Sequence, residues 1–518
     1  MACTCKAFYD PAMDALWRKL DGLGPLLECM PSELLSERDP LHKYDERPEL
    51  KEVCFTREPT SSEWESIFKH SHRVQAIRLR MGFPPAPRFP NSLSYCTTVT
   101  MAVFKCLRER IVEEHNVPLF PNLVSLSCQF SDPIKSLTGA RSTDNIDGII
   151  PCIPHIAGSF LKKVTASGIA RPGRLQTKLL ASFLSTVFQS YPHIQDLTVL
   201  SYSERPYLAT LSDVICGTSN LRAFLSDIPV TPSAVLQLLS MRHLTSITIE
   251  LPASFSHVDV DALGSLEKVK VFAQELDTCS EFISSIQPGT LKEVIIQAHG
   301  HCTPEDIRRC FGALREHRSL RRISAFPEYL YKAADICLIP GSTLALLYPL
   351  AELQSLAIEQ HIEVDLYDHD ALALSKAWPS LQNLQFVARP ESSREYDARA
   401  HLTPAGLLHL VENCKNLKML TIGFDSTINE NMLDTAISVG PIAENLVSLE
   451  IHTVLSPVRE PEKVVHFLKA VFPKLYRLGF CWNSRIDHRW AIEWREISDA
   501  LSEMLCANYS LIPFPDDD

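Results

Sequence analysis

One short pattern of apolar and polar positions recurs along the chain. An aliphatic residue is followed by two variable residues, an aliphatic, one variable residue and another aliphatic, as in "LTSITI" from Leu244 and "LKEVII" from Leu291. Alternation of this kind predicts a short strand with one buried face. Eleven clear copies begin at Leu123, Ile194, Leu244, Leu266, Leu291, Leu320, Leu353, Leu381, Leu417, Leu446 and Leu475. Three weaker copies begin at Val74, Leu161 and Leu221.

Amphipathic helices are predicted before many of these strands. In "TPEDIRRCFGALREHRSL", four apolar residues at helical spacing form one stripe, beginning with Ile307. The helix start is well marked, because Thr303 suits the N-cap position and Pro304 suits the first helical position. Segments beginning at Thr231 and Thr403 open with the same Thr-Pro pair. The chain therefore predicts a repeated unit of helix, turn and strand.

This repeated unit predicts the fold class. A single unit cannot bury its apolar stripe, but stacked neighbours can. Consecutive copies begin 22 to 49 residues apart, so the shorter spacings match leucine-rich repeats and the longer ones imply insertions. We expect a curved α/β solenoid with parallel strands on its concave face. The alternative is a doubly wound sheet, but its strands would be near-continuous apolar runs, whereas these strands carry polar residues at fixed positions.

Composition narrows the functional classes. The chain has 518 residues and a net charge of −12, which disfavours general binding to nucleic acid because the phosphate backbone requires a basic surface. Sixteen scattered cysteines are typical of reduced, buried thiols rather than a disulfide framework. No secretory signal core or membrane-spanning apolar run is present in the sequence. We expect no membrane association and a cytoplasmic or nuclear location.

The sequence offers little catalytic chemistry. It contains no phosphate-binding glycine loop, no nucleophile elbow and no zinc-protease motif, so we expect no cofactor and no enzymatic activity. His299, His301 and Cys302 are three possible metal ligands in four residues, but no second ligand cluster accompanies them, and a loop is the simpler interpretation. Three acidic residues precede a predicted helix, where they favour its dipole: Asp365, Asp368 and Asp370. A dispersed active site remains an alternative; a deep polar pocket with paired titratable groups would support it.

The first helix has a pattern of its own. Asp10 suits an N-cap and Pro11 the first helical position. The apolar residues that follow form one stripe and predict a helix that buries a tryptophan. They are Met13, Leu16, Trp17 and Leu20.

These residues also resemble part of a known module. The "CK-x-[FW]" phrase from Cys5 to Phe8, followed by Leu16 and Trp17, is similar to the second half of an F-box. The phrases "LDGLGPLLECMPSEL" (20–34), "SEWESIFKHSHRVQAIRL" (62–79) and "VFPKLYRLGF" (471–480) follow in the order found in the large F-box, leucine-rich-repeat family of mushroom-forming fungi. The chain lacks the "LP-x-E-[IL]" helix that opens an F-box. The expected organisation is a partial F-box over 1–45, a solenoid over 46–500, and a cap and acidic tail over 501–518.

The resemblance implies a function. A family member would be the non-catalytic substrate-recognition subunit of an SCF (cullin-type) ubiquitin ligase, and its solenoid would hold an unknown target protein. The residues implied to contact the Skp-type adaptor are Cys5, Phe8, Leu16 and Trp17. The alternative is a protein-interaction scaffold with no ligase link, in which the first helix only caps the first repeat.

A basic strip is the candidate target-binding surface. Variable positions on three successive predicted strands carry five cations: Lys268, Lys270, Lys292, Arg321 and Arg322. Clustered arginines bind phosphate bidentately, so the strip predicts an acidic or phosphorylated target. The alternative is a solvated strand face on which Glu267 and Glu293 neutralise the cations.

Overall fold

The structure is a computed structural model, and its description covers most of the chain. The residues described are 6–38, 50–81, 96–99, 101–114, 117–130, 150–168, 174–201, 209–256, 265–327, 337–360, 362–388, 400–430, 433–434, 445–452, 456, 458–481 and 488–509. The chain divides into two compact units, 1–250 and 251–518.

The first unit contains a long parallel ladder and a small second sheet. Its strands are Lys19–Leu20 (β1), Leu35–Arg38 (β2), Leu50–Phe55 (β3), Ala76–Met81 (β4), Cys96–Val99 (β5), Ser125–Phe130 (β6), Lys163–Gly168 (β7), Asp196–Ser201 (β8), Ala223–Ser226 (β9) and Ser246–Glu250 (β10). The order β1-β4-β6-β7-β8-β9-β10 is parallel throughout. Strands β2, β3 and β5 form the separate sheet.

Helices alternate with these strands. They are Lys6–Trp17 (α1), Gly24–Leu27 (α2), Ser61–Ser71 (α3), Met101–Glu114 (α4), Ile153–Ile156 (α5), Arg174–Ser190 (α6), Ala209–Cys216 (α7) and Pro232–Ser240 (α8). One 3-10 segment spans Ser32–Leu34 and another spans Ile150–Cys152.

The second unit repeats this arrangement. Its strands are Lys268–Ala273 (β11), Glu293–Ala298 (β12), Arg322–Pro327 (β13), Cys337–Pro340 (β14), Ser355–Gln360 (β15), Ile362–Asp365 (β16), Asn383–Ala388 (β17), Met419–Ile422 (β18), Ser448–His452 (β19) and Arg477–Cys481 (β20). Its helices are Leu276–Ser284 (α9), Pro304–Arg315 (α10), Asp368–Ala377 (α11), Pro404–Asn413 (α12), Pro461–Val471 (α13) and His488–Tyr509 (α14), with a 3-10 segment over Gly341–Leu347. The order β11-β12-β13-β15-β17-β18-β19-β20 is parallel, while β14 pairs only with β16.

The predicted repeats are confirmed. All fourteen copies of the pattern lie in the parallel ladders, and each strand begins two residues after the first aliphatic residue of its copy. Burial alternates along the strands, as in β12, where Val294 and Ile296 are buried and Ile295 is half-buried. Within each unit the ladder follows chain order, whereas a doubly wound sheet reverses its order at a switch point. The fold is therefore leucine-rich-repeat-like, and the doubly wound alternative is wrong.

The predicted helix starts are confirmed at atomic detail. The Thr303 hydroxyl accepts from the Asp306 N–H at 3.2 Å, while the Asp306 carboxylate accepts from the Thr303 N–H at 2.9 Å. Thr231 and Thr403 likewise cap α8 and α12. Each cap satisfies an N–H that the helix itself leaves unpaired. The apolar stripe of α10 then faces inward.

Among the described residues, no helix is both long enough and apolar enough to cross a membrane.

Candidate protein-binding surfaces

Helix α1 begins earlier than its sequence predicts. It starts at Lys6, so Pro11 lies inside it and Asp10 is not its N-cap. The Asp10 carboxylate instead accepts a hydrogen bond from the Arg73 guanidinium at 2.7 Å, and Asp14 pairs with the same guanidinium. A cap rule considers only local sequence, whereas the partner of Asp10 lies 63 residues away.

The prediction that this helix buries Trp17 is confirmed. The Trp17 side chain is 8% exposed, and its ring stacks on His70 of α3, with centroids 4.7 Å apart and planes within 7°. Burial lowers the pKa of His70, and the neighbouring charge of Lys69 lowers it further. The surface of Trp17 is already used to hold α1 in place.

The other face of α1 is apolar and open to solvent. Phe8 is 58% exposed, Tyr9 42% and Leu16 65%. At 100° per residue, these three side chains fall within an arc of about 100°, and Trp17 lies about 180° from Phe8. The expectation that Leu16 shares a buried stripe with Trp17 is wrong, because the helix docks through Trp17, Asp10 and Asp14. Cys5 lies outside the described residues.

The residues of the basic strip lie on or just before three neighbouring strands. Lys268 of β11 lies beside Glu293 of β12, which lies beside Arg322 of β13. Immediately before these strands, the Arg321 N–H donates to the Lys292 carbonyl at 2.8 Å. Lys268, Lys270 and Arg322 therefore lie on β11 and β13, whereas Lys292 and Arg321 lie immediately before β12 and β13.

Carboxylates neutralise part of this strip. The Lys292 ammonium lies 2.6 Å from the Glu267 carboxylate, and the Lys268 ammonium lies 3.6 Å from the Glu293 carboxylate. Both pairs were expected under the solvated-face interpretation. At this exposure each pair contributes at most about 1 kcal/mol to folding.

The remaining cations are less evenly matched. Arg321 pairs with Glu352 at 3.1 Å, an interaction that the repeat pattern did not predict. Arg322 is exposed and has no carboxylate partner among the described residues. The Lys270 ammonium lies 5.0 Å from the centre of the Phe272 ring. Five cations thus face three carboxylates, and Arg322 offers an uncommitted guanidinium.

The two other clusters noted in the sequence have local roles. Asp368 begins α11 and accepts from both the N–H and the hydroxyl of Thr403, each at 2.7 Å. Asp370 accepts from the Tyr367 N–H at 3.1 Å. Asp365 contacts His401, and both residues line a pocket. His299, His301 and Cys302 form no metal site, since the described residues contain no group of three suitable ligands.

Comparison with known proteins adds solved structures only. No family model and no curated protein matches the chain. A leucine-rich-repeat protein of Leptospira interrogans is 14% identical with a TM-score of 0.35, over 70% of this chain and 79% of that one. The Rad7–Elc1 complex of yeast gives 11% and 0.32, over 76% of each chain. LegL7 of Legionella pneumophila gives 12% and 0.27, over 60% and 91%. At such low scores, the fold assignment rests on the ladders and burial described above.

Proposed function

We propose that this chain is a protein-binding leucine-rich-repeat receptor that brings a target protein to a cullin-type ubiquitin ligase and catalyses no step itself. The observation that carries the proposal is the two-sided character of α1, which is docked by Trp17 and Arg73 on one face and exposes large apolar side chains on the other. The resemblance of this segment to the second half of an F-box supplies the class of partner. The repeated sheet supplies the surface for the target.

The exposed face of α1 suits a partner that buries apolar side chains. Phe8 and Leu16 are more than half exposed, and burying such side chains is favourable by about 1.5–3 kcal/mol each. The docking contacts of Trp17 and Arg73 hold the helix in place before binding, so little ordering cost is expected. We infer that Phe8 and Leu16 contact the Skp-type adaptor, while Trp17 positions the helix.

The target is proposed to bind on the second unit. An acidic or phosphorylated segment would meet Arg322 and Lys270 first, because the other three cations already have carboxylate partners. Arginine binds phosphate through two parallel hydrogen bonds. The receptor would then act by proximity, raising the effective concentration of target lysines near the conjugating enzyme.

Binding to the adaptor tests the proposal directly. The purified full-length chain should bind an immobilised Skp-type adaptor, and Phe8→Glu combined with Leu16→Glu should weaken binding at least tenfold. Phe160→Glu is the matched control, since Phe160 is 56% exposed in the same unit and should bind normally. No binding by the wild-type chain would refute the ligase role.

The second candidate is a scaffold with no ligase link. It is favoured by the docking of α1, because Trp17 and Arg73 attach the helix to α3 as a cap would. In that case the wild-type chain would not bind the adaptor, and Trp17→Ala would lower the stability of the first repeats.

The strip has a separate test. Arg321→Glu with Arg322→Glu should abolish binding of phosphoserine-containing acidic peptides while leaving the melting temperature unchanged. Arg308→Glu is the control, because Arg308 is an exposed arginine on α10 in the same unit. Equal peptide affinity in wild type and double variant would remove the strip from the proposal.

A further inference from the structure

A polar pocket lies where the strands β16, β17 and β18 end. Its empty volume, including the mouth open to solvent, is about 460 Å³. Three titratable residues and several apolar ones line it, among them Glu363, Asp365, His401, Leu366, Phe386 and Ile422. This combination differs from the basic strip, because the charges here are acidic and the walls are apolar.

Glu363 is the unusual member of the pocket. It is 8% exposed, lines the cavity, and has no hydrogen-bond or ion-pair partner among the described residues. Burial raises the pKa of its carboxyl group, and the charge of Asp365 raises it further. Among the described residues no cation offsets the charge of this largely enclosed side chain. Such a group is consistent with a site that binds a positively charged ligand.

Asp365 supplies a second carboxylate on the same side. It follows Glu363 by two residues on β16, and residues so spaced face the same way on a strand. Its Oδ1 lies 2.6 Å from His401 Nδ1. The Tyr367 ring stacks on His401, with centroids 4.5 Å apart and planes within 7°, and so fixes the imidazole. Asp365 is therefore partly satisfied, whereas Glu363 is not.

The pocket lining restricts what can bind. The lining offers two carboxylates and an imidazole but no hydroxyl, thiol or amine side chain. The described residues hold no set of three ligands for a metal ion. An organic cation with an apolar stem satisfies both the carboxylates and the apolar walls.

We propose that this pocket binds the arginine side chain of a partner protein, with the guanidinium against Glu363 and Asp365 and the aliphatic stem against Phe386 and Ile422. Arginine is favoured over lysine because its planar guanidinium bonds carboxylates bidentately and is more weakly hydrated. The inference goes beyond the proposed function, since it describes a cation-selective site separate from the basic strip, and it stands whether or not the chain binds an adaptor.

Methyl NMR of the full-length chain tests the pocket. Isoleucine δ1-methyl labelling places reporters at Ile362 and Ile422, both of which line the cavity, and at Ile296 of β12, a buried residue of the same unit that does not line it. Titration with acetyl-arginine amide should shift the first two signals saturably and leave the third unchanged. Acetyl-citrulline amide, which has the same shape without the charge, should shift none of them.

A matched pair of variants locates the charge. Glu363→Gln should weaken arginine binding at least tenfold and raise the melting temperature at neutral pH, because it removes an unpaired buried carboxylate. Glu462→Gln, at an exposed carboxylate of the same unit, should change neither. Equal shifts with arginine and citrulline, or unchanged affinity in Glu363→Gln, would overturn the inference. The wild-type comparison of the two ligands remains decisive if Glu363→Gln fails to fold.

Discussion

Each copy of the repeat, with its strand, forms one rung of a parallel ladder. The rungs and helix α1 carry similar apolar side chains, but these are buried in the rungs and partly exposed in α1. In the rungs, the first aliphatic residue of each copy is buried, and Leu291 and Leu320 are fully enclosed. In α1, Phe8 and Leu16 stay more than half exposed. A rung has packed neighbours along the ladder, whereas α1 is docked through the face that carries Trp17. The same types of side chain therefore lie in the core of the repeats and on the surface of α1.

The difference shows when an apolar pattern can be interpreted alone. The pattern occurs in fourteen copies, and each strand must pair with the strands beside it. A strand assigned wrongly at one copy would therefore conflict with the neighbouring copies. Helix α1 has no second copy. Its apolar residues occupy much of the helix circumference, and Arg73, which is distant in sequence, decides which face docks.

The largest expected effect is in a rung. Leu291→Asp or Leu417→Asp places an unpaired charge in a closed interior, and the loss of folding free energy should be at least about 4 kcal/mol. Thermal unfolding followed by circular dichroism should show a lost or strongly lowered transition. Leu16→Asp, the same substitution in α1, should melt like wild type. A normal melt for Leu291→Asp would mean that this leucine is not core.

The repeat pattern predicted the rungs but not every partner of their polar residues. Thr303 with Asp306 is readable because a helix cap is local, and Glu267 and Glu293 could be assigned to the strip because they share its rungs. Glu352 could not, since it lies one residue before Leu353 and therefore outside the repeated pattern. The pocket could not be predicted either, because His401 and Asp365, which are in contact there, lie 36 residues apart in the sequence.

A smaller effect is expected from pH, in the turn between α10 and β13. His317 is 1% exposed, and its Nε2 lies 3.2 Å from the Ile283 carbonyl oxygen, to which it donates when neutral. Burial lowers the pKa of His317. Below the unfolded pKa of about 6.5, the unfolded chain binds a proton that the folded chain does not, so stability falls as pH decreases from there towards the folded pKa.

Urea unfolding at pH 7.5 and 5.5 measures this effect. The loss of stability on acidification should be smaller in His317→Gln, which does not titrate, than in wild type. His70 lies against Trp17 with a pKa lowered in the same direction, but it is only half-buried, so His70→Gln should reduce the pH dependence less. A larger effect at His70 would reverse the proposed ranking of the two regions.

The smallest expected effect is on the exposed face of α1. Phe8→Ser with Leu16→Ser should change the free energy of unfolding by no more than about 0.5 kcal/mol per site, as is usual for surface positions. Urea unfolding checks this, with Trp17→Ser as the control that should release α1 and expose it to proteolysis. A loss of several kcal/mol in the double variant would show that Phe8 and Leu16 pack within the folded chain. They would then be unavailable to a partner, and the contrast between α1 and the rungs would disappear.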